Sequence, residues 1–403
     1  MNIARNFELP PVAVETVPPP RASIAGALPQ RPLRCHFHRI DALPAEIAAQ
    51  WSLLADEASE PNAFAERWFV EPSLEWLAQK RDMRIAIVMS EDGLLAGMMP
   101  IAVKTHYGRI PLRNVQNWKH DNAFLGTPLI RRGIEQGFWA ALLEALDRQP
   151  WSKGLIHIAG LDRDGPVLAG LHRAARAAGR PCDVVLSTRR ALLQSDKSPE
   201  AYWAAALRKK KRKEINRLTN RLSEEGQVAC STLGADGDVA SWAEAFLALE
   251  AKGWKGESGS ALACTPKLAA FFRETLARAH AAGRLDFHRL DLDGQPIAML
   301  VNFLTPPGSF SFKIAFDEDY ARYSPGVLIQ RYNLRILDNP AIAWMDSCAA
   351  EDHPMIDGLW SERREIVRVT LPLGGRWNRI VFQACRSAER AAGLVRQLRS
   401  RGS

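Results

Sequence analysis

The sequence predicts an α/β fold in which mixed sheets are flanked by helices. Short apolar strand patterns alternate with amphipathic helix patterns along most of the chain, which is typical of layered α/β proteins. An order of hairpin, strand, helix and strand occurs once in each half, which suggests two copies of one fold. Of the 403 residues, 47% are hydrophobic, enough to bury a large core.

The length favours two or three domains, and we divide the chain into three segments. Residues 1–32 are expected to form a flexible tail, because seven prolines interrupt any helix or strand there. Residues 33–194 and 195–403 are expected to form two α/β domains, the second ending in a basic helix. We expect no membrane span, since no run of about eighteen uncharged apolar residues occurs.

In the first half, the hairpin signal Glu91-Asp92-Gly93 joins two strand patterns. The apolar periodicity predicts the other elements. Strands are expected at 35–40, 83–90, 94–104, 112–118, 123–130, 154–160 and 182–194, and helices at 42–58, 134–148 and 167–178.

In the second half, Ser198-Pro199-Glu200 begins a helix that Gly226 ends, and Asp293-Gly294 marks a hairpin turn. Helices are expected at 198–225, 239–252, 266–282, from 325, at 352–361 and at 384–400, and strands at 284–292, 296–304, 309–317, 341–348 and 365–373.

Charge and cysteine content narrow the classes of function. The net charge of +8 favours anionic ligands such as nucleotides, acyl-CoA, RNA or anionic lipid. Six scattered cysteines without a CxxC pair fit reduced thiols in the cytoplasm rather than a disulfide framework or a zinc site. No metal is expected, because His36 and His38 lack a third ligand. The common hydrolase, metalloprotease, P-loop and Rossmann motifs are absent from the sequence.

The motif Ser-Pro-Gly follows the strand at 309–317. Ser324 is expected to cap a helix with its hydroxyl, and Pro325 suits the first helical position. The amides of Gly326, Val327 and Leu328 would then point outward at the positive end of a helix, where a pyrophosphate can bind. The alternative is an ordinary, well-formed helix start.

Four further side chains are candidates for a site. Asp346 ends a strand; if that strand is parallel to 309–317, its carboxylate lies beside the helix start, where a raised pKa would suit a general base. Lys313 could neutralise a phosphate or pair with an acid. Trp254 could lie across a pocket, with Lys255 meeting a phosphate or carboxylate. Each residue also has a structural alternative: a helix-capping Asp, an ion pair, or a Trp packed at the core edge.

The basic run Arg208–Lys213 is the strongest local charge feature. It could bind phosphates, or it could simply be the solvated face of a helix. No RNA- or DNA-binding signature accompanies it, so we do not expect a nucleic acid as the main ligand.

Taken together and in order, several segments of the second half resemble the BioF2-like, CelD/BcsL-type branch of the GNAT acyltransferases, which is distantly similar to the FemABX aminoacyltransferases. The resemblance covers about 195–375 and reaches the first half only in layout. The segments are AYWAAALRKKKRKEINRLTNRLSEEG, LEAKGWKGESGSAL, LDLDGQPIAMLVNF, FKIAFDEDYARYSPGVLI, MDSC ahead of Leu359-Trp360, and in the first half NWKHDNAFLGTPLI.

The resemblance implies a tandem GNAT fold with the acyl donor, acetyl-CoA or another acyl-CoA, bound in the second copy. It places the donor pyrophosphate on Tyr323 to Leu328. The usual GNAT signature is absent, and Arg322-Tyr323-Ser324-Pro325-Gly326 stands in its place. The first copy would shape the pocket for the acceptor.

The implied activity is direct transfer of an acyl group, an acetyl group in the simplest case, to an amine or a sugar in polysaccharide or cell-envelope biosynthesis. Asp346 is the expected base or orienting group. Trp254, Lys255 and Lys313 are expected to line the cleft between the halves. Two alternatives stay open: aminoacyl transfer from tRNA, with the basic run contacting the tRNA, and a non-catalytic interaction subunit.

Overall fold

The computed structural model describes residues 32–39, 43–79 and 82–401, so the predicted N-terminal tail lies outside the described residues except for Pro32. The strands are β1 Leu33–His38, β2 Met83–Ser90, β3 Leu95–Lys104, β4 Asn114–Asn117, β5 Leu129–Ile130, β6 Leu155–Asp162, β7 Asp183–Leu193, β8 Val228–Thr232, β9 Leu285–Leu292, β10 Gln295–Thr305, β11 Gly308–Phe316, β12 Trp344–Asp346 and β13 Glu362–Pro372. The helices are α1 Ala45–Glu57, α2 Arg67–Trp76, α3 Glu135–Asp147, α4 Pro166–Ala177, α5 Pro199–Ala206, α6 Lys209–Glu225, α7 Val239–Lys252, α8 Trp254–Glu257, α9 Pro266–Ala281, α10 Pro325–Asn333 and α11 Arg376–Arg401.

Both halves repeat one topology within a single sheet. The strand order is β1-β2-β3-β4-β6-β13-β7-β12-β11-β10-β9-β8, with β5 on the side of β3. In each half, four antiparallel strands are followed by a helix and a fifth strand that runs parallel to the fourth. The parallel pairs are β4 with β6 and β11 with β12. The mixed α/β architecture predicted from the sequence is therefore confirmed.

The two halves exchange their last strands. Strand β7, which ends the first half, pairs with β12 of the second half. Strand β13, which ends the second half, pairs with β6 of the first half, and β7 and β13 pair with each other. Each half therefore needs a strand from the other to complete its sheet.

Several local predictions were wrong or missed an element. Within the predicted strand 123–130, only Leu129–Ile130 is extended in the sheet, and the rest is a loop. The predicted helix 198–225 breaks at Leu207, which is extended and buried in the core. Only a 3₁₀ turn, Ile356–Gly358, forms within 352–361. Helix α2, which contains Pro72, and strand β8 were not predicted, and α11 begins at Arg376 rather than at 384.

Asp346 lies where the halves exchange strands. Its fully buried carboxylate accepts hydrogen bonds from Arg190 (2.6 Å), Arg364 (3.0 Å) and the Cys348 backbone (2.9 Å). Arg364 also donates to Asp162 (2.7 Å), so these side chains link β12, β7, β13 and β6. We call Asp346, Arg190, Arg364 and Asp162 the Asp346 network. Burial alone would raise the pKa of Asp346, but the two arginines hold it below its usual value.

Replacing Arg364 by Met should lower the free energy of unfolding by about 3–5 kcal/mol, because Asp346 would keep a buried charge with one partner removed. Urea unfolding followed by circular dichroism measures this. Arg368→Met is the matched control, since Arg368 is an exposed arginine on the same strand; its effect should stay within about 0.5 kcal/mol. A loss of stability no larger for Arg364→Met than for the control would contradict a structural role for the network.

Candidate functional site

A wedge opens between the two parallel strands of the second half. Strands β11 and β12 pair only over Gly308–Phe310 and Trp344–Asp346. Beyond that point β11 continues to Phe316, whereas the chain leaves the sheet after Asp346. We call this opening the wedge. It lies beyond the carboxyl end of β12, the position at which α/β sheets commonly bind ligands.

A β-bulge directs Lys313 toward the first half. Val301 pairs with Lys313 and Asn302 with Ser311, so Phe312 is an extra residue on β11. A bulge can place two consecutive side chains on one side of the sheet. The Lys313 amine accordingly lies 5.7 Å from the Phe312 ring centroid and 5.5 Å from that of Phe124 in the first half.

Lys313 is a half-buried amine without a counter-ion. Within the described part of the chain it forms no ion pair or side-chain hydrogen bond. Burial lowers its pKa to about 8, and the nearby charge of Lys255 acts in the same direction, while Glu250 opposes it. A substantial fraction of this amine is therefore neutral near physiological pH.

Lys255 lies beside Lys313 at the wedge. Its amine is 2.9 Å from the buried carboxylate of Glu250 and 3.4 Å from the carbonyl oxygen of Ile314. The Asp317 amide donates to a carbonyl of β10. Because peptide groups alternate along a strand, the Ile314 peptide, three residues away, faces the wedge instead. The structure thus places the charge of Lys255 near Lys313, and a backbone N–H also points into the wedge.

Trp254 lies at the rim rather than across a pocket. Its backbone N–H donates to Glu318 (2.7 Å), and 56% of the residue is exposed. The indole is therefore available to a ligand at the surface, but it does not cover the wedge.

The Ser-Pro-Gly helix start differs from the prediction. Ser324 is left-handed, with φ 57° and ψ 52°, and its hydroxyl makes no capping bond. Its carbonyl accepts from the amides of Val327 (2.9 Å) and Leu328 (3.2 Å), so these two amides are not free. Among the described residues, the Gly326 amide has no backbone partner. The predicted set of three free amides is therefore reduced to one.

Because Gly326 has no side chain, a ligand in the wedge could nevertheless approach its backbone closely. A β-carbon at this position would lie 3.1 Å from the Met355 sulfur and 3.5 Å from the Phe316 ring. Just before the helix, Arg322 stacks over Tyr323, with 4.7 Å between guanidinium and ring centroid, and both side chains hydrogen-bond to Glu225. A phosphate here would compete with Glu225 for Arg322.

Asp346 lies at the base of the wedge, away from the start of α10. It is opposite Phe310, and Phe316 is six residues further along β11, roughly 20 Å away. The expectations that its carboxylate lies beside the helix start and has a raised pKa are therefore wrong. Because Arg190 also donates to the Phe124 carbonyl (2.9 Å), the Asp346 network instead supports the loop that faces Lys313.

This loop, residues 118–128 of the first half, was missed as a source of site residues. Burial lowers the pKa of Lys119, with Arg368 and Arg190 adding to the effect. The His120 ring is neutral, since burial lowers its pKa to about 3. Its Nδ1 accepts from the Asn122 amide (3.3 Å), and its Nε2 contacts a serine hydroxyl (3.1 Å). Both ring nitrogens of His120 are thus in contact with groups of the protein itself. The signal that could have pointed to this loop was the similarity of NWKHDNAFLGTPLI to the predicted family.

Comparison with known families identifies the second half. Residues 209–353 match the family described as acetyltransferase (GNAT) domain. This segment is similar to GNAT acetyltransferase domains, for which acyl-CoA is the implied co-substrate, and it contains both β11 and β12 of the wedge.

Solved structures with the same fold cover most of the chain. FemX has 10% identity and a TM-score of 0.53, covering 84% of this chain and 98% of FemX. The C-terminal domain of a putative lysylphosphatidylglycerol synthetase from Agrobacterium fabrum has 11% identity and a TM-score of 0.50, covering 84% and 95%. L-PGS from Bacillus licheniformis has 12% identity and a TM-score of 0.50, covering 85% and 96%. At these identities the likeness between this chain and the three structures concerns the fold alone. No curated protein matches the chain.

Replacing Gly326 by Trp should weaken acetyl-CoA binding at least about tenfold, equivalent to about 1.4 kcal/mol, because the side chain would fill the wedge beside Met355. Isothermal titration calorimetry measures the change. Gly234→Trp is the control, since Gly234 has no atom within 4 Å of an added β-carbon. Equal affinities for the two variants would show that acetyl-CoA does not bind at the start of α10.

Proposed function

We propose that the chain transfers an acyl group, in the simplest case acetyl, from CoA to an amine of an acceptor bound between the two halves. The observation that carries this proposal is the environment of Lys313. A half-buried amine that forms no ion pair within the described residues lies on β11 and faces Phe124 of the other half. Such an amine suits proton transfer from an ammonium group of similar pKa.

The chain can support direct transfer without a covalent enzyme intermediate. Neutral Lys313 takes a proton from the acceptor ammonium, and the freed amine attacks the thioester carbonyl. The Ile314 N–H donates to the oxyanion that forms. As the carbon–sulfur bond breaks, the CoA thiolate leaves and takes the proton that Lys313 holds. Lys313, neutral again, then takes the second proton from the nitrogen of the new amide and passes it to solvent. Lys255, paired with Glu250, keeps the local field positive and favours the neutral form of Lys313.

In this scheme the Asp346 network contributes to catalysis by holding other residues of the site in place. Asp346 is fully buried, keeps its charge and stays bound to two arginines, so it is not placed to take a proton from an acceptor. Arg190 joins it to the carbonyl of Phe124, whose ring contacts Lys313. We therefore propose Lys313 as the base and Asp346 as a positioning residue.

Lys313→Met should lower kcat/KM for acetyl transfer by about 10²–10⁴-fold, the range for loss of a general base. In the wild type, log kcat/KM should rise with pH and level off above about pH 8, because the reactive form of Lys313 is deprotonated and its pKa is about 8. Both the loss of kcat/KM and the pH dependence can be measured by screening amine acceptors and detecting the thiol of the released CoA.

Lys267→Met, at an exposed lysine of α9, is the control for that experiment and should keep the wild-type profile. A variant Lys313→Met that retains both the rate and the pH dependence would show that another group accepts the proton.

A second candidate is aminoacyl transfer from tRNA. It is favoured by the exposed lysines of the basic run on α6: within the described residues Lys209, Lys210 and Lys213 form no ion pair. The first proposal predicts only weak tRNA binding. Filter binding of tRNA with a steep loss of affinity in salt, abolished when these three lysines are changed to Gln, would favour the second candidate instead.

We further propose that the acceptor is a precursor in polysaccharide or cell-envelope biosynthesis, as the resemblance to the BioF2-like, CelD/BcsL-type branch implies. We also propose a cytoplasmic location. All six cysteines are free, which supports this location. In the described part of the chain, no helix is both long enough and apolar enough to cross a membrane.

A further inference from the structure

The start of α11 carries large apolar side chains that the described protein does not cover. Trp377 is 72% exposed and Ile380 is 58% exposed, and at a spacing of three residues they share one face of the helix. Phe382 and Cys385 lie on the other side of α11 and are buried against the protein. The helix is thus fixed by one face and leaves an apolar face outward.

The start of α11 is also positively charged. Helix α11 contains seven arginines and one acidic residue, Glu389, which bonds to Arg386. Arg376 and Arg379 flank Trp377, are exposed, and form no ion pair within the described residues. Together with Arg180 they line a surface groove of about 620 Å³. We call Arg376, Trp377, Arg379 and Ile380 the α11 patch.

We propose that the α11 patch docks on a bilayer surface containing anionic phospholipids. Arginines beside exposed Trp and Ile on one helix are the combination that binds such an interface: the guanidinium groups meet lipid phosphates, and the apolar side chains enter the boundary of the acyl chains. An indole is well suited to this depth because one edge is polar. A nucleic acid would satisfy the arginines but would leave the side chain of Ile380 against phosphates.

Docking through the α11 patch leaves the wedge open. Strand β13 connects the two regions: Arg364 belongs to the Asp346 network, and Pro372 comes just before the α11 patch. These two residues are eight positions apart on the strand, which corresponds to roughly 26 Å. An enzyme held at the bilayer would therefore still receive acyl-CoA and acceptor. The proposal does not rest on the proposed function, since vesicle binding needs no turnover.

The test is cosedimentation of the full chain with two kinds of vesicle, phosphatidylcholine alone and phosphatidylcholine mixed with phosphatidylglycerol. We expect binding to the mixed vesicles only, weakening as salt rises. Arg376→Ser with Arg379→Ser should reduce the partition coefficient about thirtyfold. Trp377→Ser with Ile380→Ser should reduce it at least about tenfold.

Leu53→Ser is the matched control, because Leu53 is 63% exposed on α1 and lies outside the α11 patch; it should bind like the wild type. Circular dichroism confirms that each variant is folded. Absence of wild-type binding to the mixed vesicles would overturn the proposal. The proposal would also be overturned if the arginine variant lost binding while the variant of Trp377 and Ile380 bound like the wild type, because this would indicate charge attraction without insertion of the helix face.

Discussion

The buried contact of Asp346 with Arg190 and Arg364 is the interaction on which the rest of the structure depends. It lies where each half completes its sheet with a strand of the other. Transferring one carboxylate and two guanidinium groups from water is costly, and their mutual attraction offsets that cost only when the geometry is good. Asp162, on β6, provides a second carboxylate for Arg364. The network therefore requires both halves to be in place together.

The candidate site is a consequence of this exchange. Because β12 ends at Asp346, β11 runs on alone and the wedge opens beside it. The bulge at Phe312 turns Lys313 toward the first half, where the loop 118–128 encloses it. Enclosure removes water from the amine and, together with the charge of Lys255, lowers its pKa to about 8. The same packing that joins the halves thus produces an amine of lowered pKa at the opening.

Local patterns predicted much of the fold. Apolar strand patterns located the strands β9, β10 and β11, and the turn Asp293-Gly294 predicted the pairing of β9 with β10. Lys313 and Lys255 were also identified from their segments. Three features depended on distant contacts and could not be predicted. The partners of Asp346 lie 156 and 18 residues away. Ser324 adopts a left-handed conformation that propensity disfavours outside Gly, Asn and Asp. The bulge at Phe312 leaves no signature in the sequence.

The most direct test of the account is a crystal structure of the chain with acetyl-CoA. We predict that the thioester lies in the wedge, with its carbonyl oxygen about 3 Å from the Ile314 amide nitrogen and the Lys313 amine on the side of the first half. Met355 would have to move from its place beside Gly326 if the pantetheine passes there. A complex with acetyl-CoA bound in the first half, or with the thioester remote from Lys313, would contradict the account.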